Sequence, residues 1–526
     1  MRTAPLALSL VVVFGCASGE PPGSSIVPNG STAIVPPSQQ PNTTSSPNAE
    51  LGGAGASATD APSSSETGGQ GPSGGAAGND EARSEGGTSA QTPGAPGRGG
   101  TYGSSGMGSG GAADCEPSCD SSEALDTTAA ETATDNEASG AGTAAVNALR
   151  EHLMLPRAAR PPIHLEPFAT AALSKADADS ARELLWQDHA EWIRETRQAE
   201  TDAMAITLDG QTLRYDFRVF GTKPAAGRSL FISLHGGGEA AASVNDQQWE
   251  NQKSLYEPSE GIYLAPRAPT NTWNLWHEAH IDGLLRRLVE NLIVLEEVDP
   301  NRVYLMGYSA GGDGVYQLAP RMADSFAAAA MMAGHPNDAE PDNLRNLGFT
   351  LHVGGQDTAF DRHLVAEQWG AMLEALHTAD PSGYVHEVHI HPSKGHWMDL
   401  EDAVAVPWMA EFTRNPSPSR VVWLQDDVPH ERLYWLAVPS EQALKETKVI
   451  ATCSGQTIHV QAQGVQTLHV RLSDELVDLD QPVHIETDSA ALHSDTAPRT
   501  IGTLARTLAE RGDPALMYSA EVTVEL

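Results

Sequence analysis

Apolar positions follow one pattern between residues 201 and 416 and another after residue 420. In the first part, short continuous apolar runs, such as residues 230–234 and 261–265, alternate with segments of helical spacing, such as residues 281–297. Continuous apolar strands separated by helices indicate a mostly parallel sheet that is covered by helices on both faces. The functional groups of such a sheet are expected at the carboxyl ends of its strands.

After residue 420, the segments 456–461, 467–472 and 483–487 alternate apolar with polar residues, which is typical of strands with one buried face. Aspartate-rich turns separate these segments, and one short helix is expected near residues 501–508. We therefore predict a small, mostly-β, sandwich-like domain after the Pro-Ser-Pro-Ser sequence that begins at residue 416. Residues 141–200 carry helical spacing and are predicted to form a helical lead-in to the sheet domain at 201–416.

The composition of residues 16–140 differs from that of the rest of the chain. Residues 17–140 hold 24 of the 49 glycines, but only one aromatic residue, Tyr102, and no lysine. Such a segment cannot bury enough apolar surface to offset the entropy lost on ordering. Residues 16–140 are therefore predicted to be a disordered tether rich in Gly, Ser and Pro.

The first 15 residues are typical of an export signal. Arg2 precedes an apolar run that is too short to span a membrane as a helix. The sequence Val-Phe-Gly-Cys at 13–16 resembles a bacterial lipobox, which implies cleavage before Cys16 and lipidation of that residue. An ordinary signal with a chance cysteine is the alternative. We expect an exported protein that is anchored to a membrane of the cell envelope, facing either the periplasm or the cell surface.

Charge and cysteine content narrow the partners of the chain. A formal net charge of −37 argues against nucleic acid as the main partner, since phosphate binding needs clustered Lys and Arg. Cys115 and Cys119 are close enough in sequence to form a disulfide in an oxidising compartment, and two thiols without a nearby His are a poor metal site. Cys453 is predicted to be a buried structural thiol.

The strongest chemical signal is the sequence Gly-Tyr-Ser-Ala-Gly-Gly at 307–312, which directly follows a predicted strand and precedes a predicted helix. This context is required of a nucleophile elbow, in which glycines permit a tight turn and Ser309 projects at the sheet edge. A glycine-rich turn with an inert serine is the alternative. The sequence His-Gly-Gly-Gly at 235–238 ends another strand, and its Gly237 N–H together with that of Ala310 is predicted to form an oxyanion hole.

A general base and an orienting acid are expected on loops at the same edge. His396 lies on the loop between the last strand and the last helix of the sheet domain, where a base is needed. Asp357 follows the strand at 349–353 and is predicted to be the acid. Asp361 is the alternative, although it is placed to cap the next helix.

Residues 200–415 resemble an α/β-hydrolase of the polyhydroxybutyrate-depolymerase and carboxylesterase-like group, which shades into prolyl-oligopeptidase-type peptidases. The resemblance rests on His-Gly-Gly-Gly, Gly-Tyr-Ser-Ala-Gly-Gly, Gly-Gly-Gln-Asp and Lys-Gly-His, which occur in the order of that family. It implies Ser309 as the nucleophile, His396 as the base and Asp357 as the acid. The sequence lacks a dedicated lid domain between the core strands, which disfavours long-chain lipid substrates.

Further residues at this edge are candidates for substrate binding. Trp276 and His277 follow one strand, His335 follows another, and His235 ends the strand at 230–234. Aromatic and imidazole side chains there are expected to line an acyl or aryl pocket, with simple loop packing as the alternative.

The sequence thus predicts an exported serine hydrolase that cleaves small or polymeric carboxylic esters through an acyl-enzyme, without metal or organic cofactor. A peptidase with the same triad is the nearest alternative. A non-catalytic surface-interaction lipoprotein that retains the fold is an alternative of another class, and the complete set of triad and oxyanion elements argues against it.

Overall fold

The computed structural model describes the backbone of residues 128–526 and the side chains from residue 140 onward. The predicted signal segment, Cys16, the Cys115–Cys119 pair and the predicted tether up to residue 127 lie outside the described residues. The first helix, α1 (Thr128–Met154), begins inside the segment predicted as tether, so the structure places the start of the helical region before residue 140. Within residues 128–526, no helix combines the length and apolar character that a membrane span requires.

The second helix, α2 (Lys175–Asp202), is set by its first turn and its buried face. The Ser174 hydroxyl accepts the N–H of Asp177 at 3.1 Å, as an N-cap side chain does, and it donates to the carboxylate of Asp177 at 2.7 Å. Leu185 and Ile193 lie on the buried face of the helix.

An eight-stranded mixed sheet forms the centre of the next part of the chain, in the order β1-β2-β4-β3-β5-β6-β7-β8. Its strands are β1 (Ala205–Leu208), β2 (Gln211–Phe220), β3 (Arg228–Leu234), β4 (Gly261–Arg267), β5 (Val298–Tyr308), β6 (Ala328–Met332), β7 (Gly348–Gly354) and β8 (His386–His391). The β1–β2 and β2–β4 pairs are antiparallel, and the remaining pairs are parallel. This is the strand order of the α/β-hydrolase fold, so the predicted fold class is confirmed.

Helices cover both faces of this sheet because its strands are apolar on both sides. The helices are α3 (Ala242–Gln252), α4 (His280–Leu295), α5 (Ala310–Arg321), α6 (Arg362–Ala379) and α7 (Ala405–Met409). Along β5, Leu305 belongs to the core cluster that includes apolar residues of α4, α5 and α6, whereas its neighbours Tyr304 and Met306 belong to the cluster that includes α7. Successive residues of one strand thus enter opposite core layers.

The chain after residue 420 contains two further sheets. Their strands are β9 (Arg420–Leu424), β10 (Arg432–Leu433), β11 (Leu436–Ala437), β12 (Lys448–Ser454), β13 (Thr457–Gln463), β14 (Thr467–Leu472), β15 (Val483–Glu486), β16 (Ala491–Asp495) and β17 (Ala520–Glu525). The orders are β10-β11-β14-β17 and β16-β15-β13-β12-β9, and both sheets contribute to one apolar cluster. Cys453 is buried in that cluster, as predicted, and burial raises the pKa of its thiol.

Helix α8 (Ile501–Arg511) ties this region to the N-terminal helices. Leu149 of α1, Leu185 of α2 and Leu504 of α8 belong to the same buried cluster. The β-rich region also contacts the sheet domain through polar groups, because the buried carboxylate of Asp324 accepts the backbone N–H of Tyr434 at 2.9 Å.

Candidate active site

Ser309 lies in the sharp turn between β5 and α5, at the carboxyl edge of the sheet. Its backbone has φ 59° and ψ −122°, a conformation that is rare for a residue with a side chain. Gly307 makes the turn possible, because a Cβ there would lie 2.2 Å from the carbonyl oxygen of Gly311. The N–H of Ser309 donates to the carbonyl of Met332 at 2.9 Å, which fixes the turn to β6. A strained backbone conformation persists only where the surrounding structure enforces it, and such conformations cluster at functional sites.

The structure brings the three predicted triad residues into one line of hydrogen bonds. Nε2 of His396 lies 3.0 Å from Oγ of Ser309, and Nδ1 of His396 lies 2.6 Å from Oδ2 of Asp357. Asp357 is 3% exposed, whereas the imidazole of His396 keeps 44% of its surface exposed. Because the carboxylate accepts from Nδ1–H, Nε2 is left to accept the serine proton.

Tyr308 holds the loop that carries the imidazole. Its hydroxyl donates to the carbonyl of His396 at 2.6 Å and accepts the N–H of Met398 at 3.1 Å. Burial raises the pKa of Tyr308, so the hydroxyl stays protonated and can donate. One chain segment, Tyr308 and Ser309, therefore positions both the nucleophile and the base. No local pattern predicts this contact, since Tyr308 occupies a variable position within the elbow motif.

Asp361, the alternative acid, does not approach the imidazole within hydrogen-bonding range. It is exposed, has φ 53°, and makes no side-chain hydrogen bond to the start of α6. The expectation that Asp361 caps this helix is therefore wrong, because its left-handed backbone does not have the extended geometry of a capping residue.

The glycine loop after β3 lies against the nucleophile. A Cβ on Gly236 would be 3.1 Å from Cβ of Ser309, so this loop approaches Ser309 closely. Gly237 has φ 112°, and the N–H of Gly238 donates to Oδ1 of the fully buried Asn245 at 2.8 Å. Within the described part of the chain, no acceptor takes the N–H of Gly237 or of Ala310. The arrangement is compatible with the predicted oxyanion hole, which stays a prediction.

Two residues predicted to bind substrate are instead buried in the protein. His235 and Trp276 are both 0% exposed. Nε2 of His235 accepts the N–H of Ala268 at 3.1 Å, its Nδ1 lies 2.6 Å from the carbonyl of Gly236, and the indole of Trp276 donates to the carbonyl of His235 at 2.9 Å. Burial lowers the pKa of His235 to about 4, so the ring is neutral and supports the glycine loop. The pocket prediction is wrong for these two residues, because their side chains pack against each other beneath the glycine loop, a long-range contact that the local sequence does not show.

The other two candidates, His277 and His335, are partly buried. Burial, followed by the charge of Arg321, lowers the pKa of His277 to about 4. Nδ1 of His335 accepts the backbone N–H of Asn337 at 2.9 Å, and the backbone N–H of His335 donates to Oδ1 of Asp313 at 2.6 Å. A substrate-binding role for either histidine stays a prediction. Asp313, one helical turn after Ser309, was not singled out by the sequence, and burial raises its pKa to about 6.

The rim of the site is open and aromatic. Trp273, Phe360 and Trp397 are 56%, 75% and 49% exposed, respectively. Trp397 is adjacent to His396, Phe360 follows Asp357 by three residues, and the carbonyl of Trp273 would contact a Cβ placed on Gly238 at 3.1 Å. Among residues 140–526, no group of three or more His, Cys, Asp or Glu side chains is arranged to hold a metal ion.

Residues 264–402 match the model of the dienelactone hydrolase family. This segment runs from β4 to just beyond His396 and contains all three residues of the hydrogen-bonded line. The match lies within the part of the chain whose strand order is that of the α/β-hydrolase fold.

Two curated proteins are similar to part of the chain. One is a protein named as an esterase, NocK, of Nocardia uniformis subsp. tsuyamanensis, with 30% identity over 152 residues, 27% of this chain and 43% of that protein. The other is a poly(3-hydroxybutyrate) depolymerase of Ralstonia pickettii, with 30% identity over 132 residues, 22% of this chain and 27% of that protein. The chain thus matches less than half the length of each.

Among solved structures, the poly(3-hydroxybutyrate) depolymerase LpqC from Bordetella parapertussis is similar to this chain. The sequence identity is 16%, the match covers 43% of this chain and 96% of that protein, and the TM-score is 0.30.

Proposed function

We propose that the chain is a serine hydrolase that cleaves carboxylic esters through an acyl-enzyme. The observation that carries the proposal is the continuous line from Oγ of Ser309 through the imidazole of His396 to the buried carboxylate of Asp357. Each residue comes from a different loop at the carboxyl edge of one sheet, where catalytic groups of open α/β sheets gather.

The proposed reaction has two halves. Ser309 attacks the ester carbonyl while Nε2 of His396 takes its proton, and Asp357 holds the imidazole in the tautomer that leaves Nε2 free. The N–H groups of Gly237 and Ala310 stabilise the oxyanion that develops. His396 then protonates the leaving alcohol, and water attacks the acyl-enzyme with the same imidazole as base.

Esters are favoured over peptides as substrates by the names of the similar proteins, an esterase and a polyester depolymerase. The exposed imidazole and the open aromatic rim also suit an acyl group that is not fully enclosed. A panel of chromogenic acyl esters of graded chain length, run beside aminoacyl anilides, separates the two activities. Turnover of the anilides alone would replace the ester proposal with the peptidase alternative.

The nucleophile is tested by covalent labelling. We expect an organophosphonate to modify the tryptic peptide that contains Ser309 and to abolish ester turnover. Ser309→Ala and His396→Ala should each lower kcat by roughly 10⁴-fold or more, since members of a triad act as a unit. Ser494 is exposed, and Ser494→Ala is the matched control, which should leave turnover unchanged. Full turnover by a folded Ser309→Ala variant would exclude this mechanism.

We also propose that the protein is an exported lipoprotein, on the basis of the Val-Phe-Gly-Cys sequence at 13–16. Mass spectrometry of the native N-terminus should find lipidated Cys16, and the Cys16→Ser variant should lose its association with membranes. An unlipidated start at any other residue would refute this.

A further inference from the structure

A cleft of about 630 Å³ lies between α2, α4 and α8 and has a basic lining. Its arginines are Arg157, Arg160, Arg197, Arg286, Arg287 and Arg511. Among the described residues that line the cleft, the carboxylates are those of Glu290 and Glu510. Such a surface stands out in a chain whose formal net charge is −37. The cleft shares no lining residue with the Ser309 site.

Five of these six arginines are neutralised by carboxylates within the protein. The pairs are Arg157 and Arg160 with Asp188, Arg197 with Glu290, Arg287 with Glu200, and Arg511 with Asp324. Two of these ion pairs join α2 to α4, the pairs with Asp188 join the segment before α2 to that helix, and Arg511 joins α8 to the loop after α5. None of the five arginines requires an external anion.

Arg286 is different. Nη2 of Arg286 lies 3.0 Å from Nδ1 of His430, and within the described part of the chain no carboxylate oxygen lies within 4.0 Å of its guanidinium. The nearby carboxylate of Asp282 is taken by Arg321 and His430, at 2.6 and 2.8 Å. The other nearby carboxylate, Asp324, is taken by Arg511.

The environment of Arg286 disfavours an unpaired charge. The side chain is partly buried, and burial together with the charge of Arg511 lowers its pKa. A guanidinium nevertheless stays protonated, so it keeps its charge in this setting. A partly desolvated cation without an anionic partner is costly, and a bound anion would remove that cost.

We propose that this cleft binds a dianionic oxyanion group of the phosphate type, with Arg286 as its principal ligand. The planar fork of a guanidinium matches two oxygens of a tetrahedral oxyanion. The cleft is larger than one phosphate ion, so the group fits there either as the free ion or as part of an organic phosphate, against the partly buried indole of Trp192.

Isothermal titration calorimetry of the full chain tests the site, with inorganic phosphate and phenyl phosphate as probes and chloride holding the ionic strength constant. We expect one saturable site per chain, and tighter binding of phenyl phosphate if the group belongs to an organic molecule. Arg286→Gln should weaken binding by roughly tenfold or more, the value of a lost charge-assisted contact. Arg218→Gln removes the same charge from an exposed position on β2 and should not alter Kd.

Gly283 offers a second test that does not remove a buried residue. It lies one turn before Arg286 on α4, lines the cleft, and has open space where a Cβ would be. Gly283→Glu supplies Arg286 with an internal carboxylate at i, i+3 spacing and should weaken phosphate binding, whereas the neutral Gly283→Gln should not. Absence of saturable binding to the wild type, or equal affinity in these two variants, would overturn the proposal without affecting the ester hydrolase assignment.

Discussion

Nη1 of Arg362 lies 3.7 Å from Oδ1 of Asp357, the carboxylate oxygen that does not face His396. Arg362 is the first residue of α6, its guanidinium is only 11% exposed, and it lies 4.8 Å from the ring of Phe360. The two oxygens of one carboxylate are therefore divided between an imidazole and a cation. Arg362 is a positioning residue in this arrangement, since it acts on the imidazole through Asp357.

Removing this cation should lower kcat. Arg362→Gln leaves Oδ1 of Asp357 without its cationic neighbour, so the carboxylate should hold the imidazole less firmly and kcat should fall by roughly threefold to tenfold, with KM unchanged. Arg362→Lys retains the charge and should restore most of the loss. An unchanged kcat in Arg362→Gln, in a variant of normal thermal stability, would show that the contact does not position the imidazole.

The two aspartates of the β7–α6 loop should behave differently. Asp357→Asn should lower kcat by roughly 10³- to 10⁴-fold, because the imidazole loses the partner that fixes its tautomer. Asp361→Asn is the matched control and should leave kcat unchanged, because Asp361 is exposed and makes no capping hydrogen bond. The comparison requires one ester assay and thermal melts of both variants. Loss of activity in Asp361→Asn alone would reverse the assignment of the acid.

The glycine loop gives a third prediction. A Cβ on Gly237 would lie 2.2 Å from Oδ1 of Asn245, and φ at this position is +112°. Gly237→Ala should therefore displace the loop N–H groups and lower kcat by roughly 10²- to 10³-fold, with a smaller effect on KM. Gly395→Ala is the control, since a Cβ there meets no atom within 4 Å. Equal kcat in the two variants would argue against an oxyanion role for Gly237.

The parts of the fold that the sequence predicts are those built from repeated apolar contacts. Continuous apolar runs such as 230–234 indicate the buried strands, and the glycines around Ser309 indicate a tight turn between a strand and a helix. Helix α3 was not predicted, because its buried residues are Asn245 and Gln252, and Gln252 donates to the hydroxyl of Ser233 at 2.7 Å. Buried polar contacts of this kind carry no hydrophobic period.

The contact between Arg362 and Asp357 was missed for a similar reason. It depends on positive φ at Phe360 and Asp361, which reverses the chain before α6. Neither position is a glycine or an asparagine, so the sequence does not indicate the reversal there. The burial of His235 likewise depends on long-range packing against Trp276, which its local sequence does not encode.

Asp313 should make stability depend on pH. Burial raises its pKa to about 6, above the value near 3.8 expected in the unfolded chain. Its contribution to stability is therefore fully present below pH 3.8 and is lost as the pH rises through about 6. Asp313→Asn, whose amide oxygen can still accept the N–H of His335, should stabilise the protein at pH 8 by about 1–2 kcal/mol and have little effect near pH 4. Denaturant unfolding at pH 4 and pH 8 measures the two stabilities. Equal stabilisation at both pH values would contradict a raised pKa for Asp313.

Arg511 and Asp324 join the β-rich C-terminal region to the sheet domain. The carboxylate of Asp324 is 1% exposed and also accepts the N–H of Tyr434 at 2.9 Å. The change of apolar period after Pro418 predicts that residues 420–526 fold separately and carry no catalytic group, so that their deletion leaves chemistry on small esters largely intact. Deletion of these residues would leave the buried carboxylate of Asp324 without its cationic partner, and it would remove Leu504 from the cluster that contains Leu149. We therefore expect the shortened chain to lose most of its stability.

A double-mutant cycle isolates the polar part of this effect without shortening the chain. Arg511→Met leaves a buried, unpaired carboxylate and should cost about 3–5 kcal/mol in the free energy of unfolding. Asp324→Asn in the same background removes that charge while keeping an acceptor for the N–H of Tyr434, so the double variant should recover much of the loss. Activity on small esters should persist in every folded variant, since neither residue contacts the triad. Additive losses in the cycle would show that the two side chains do not depend on each other and that apolar packing alone holds the C-terminal region in place.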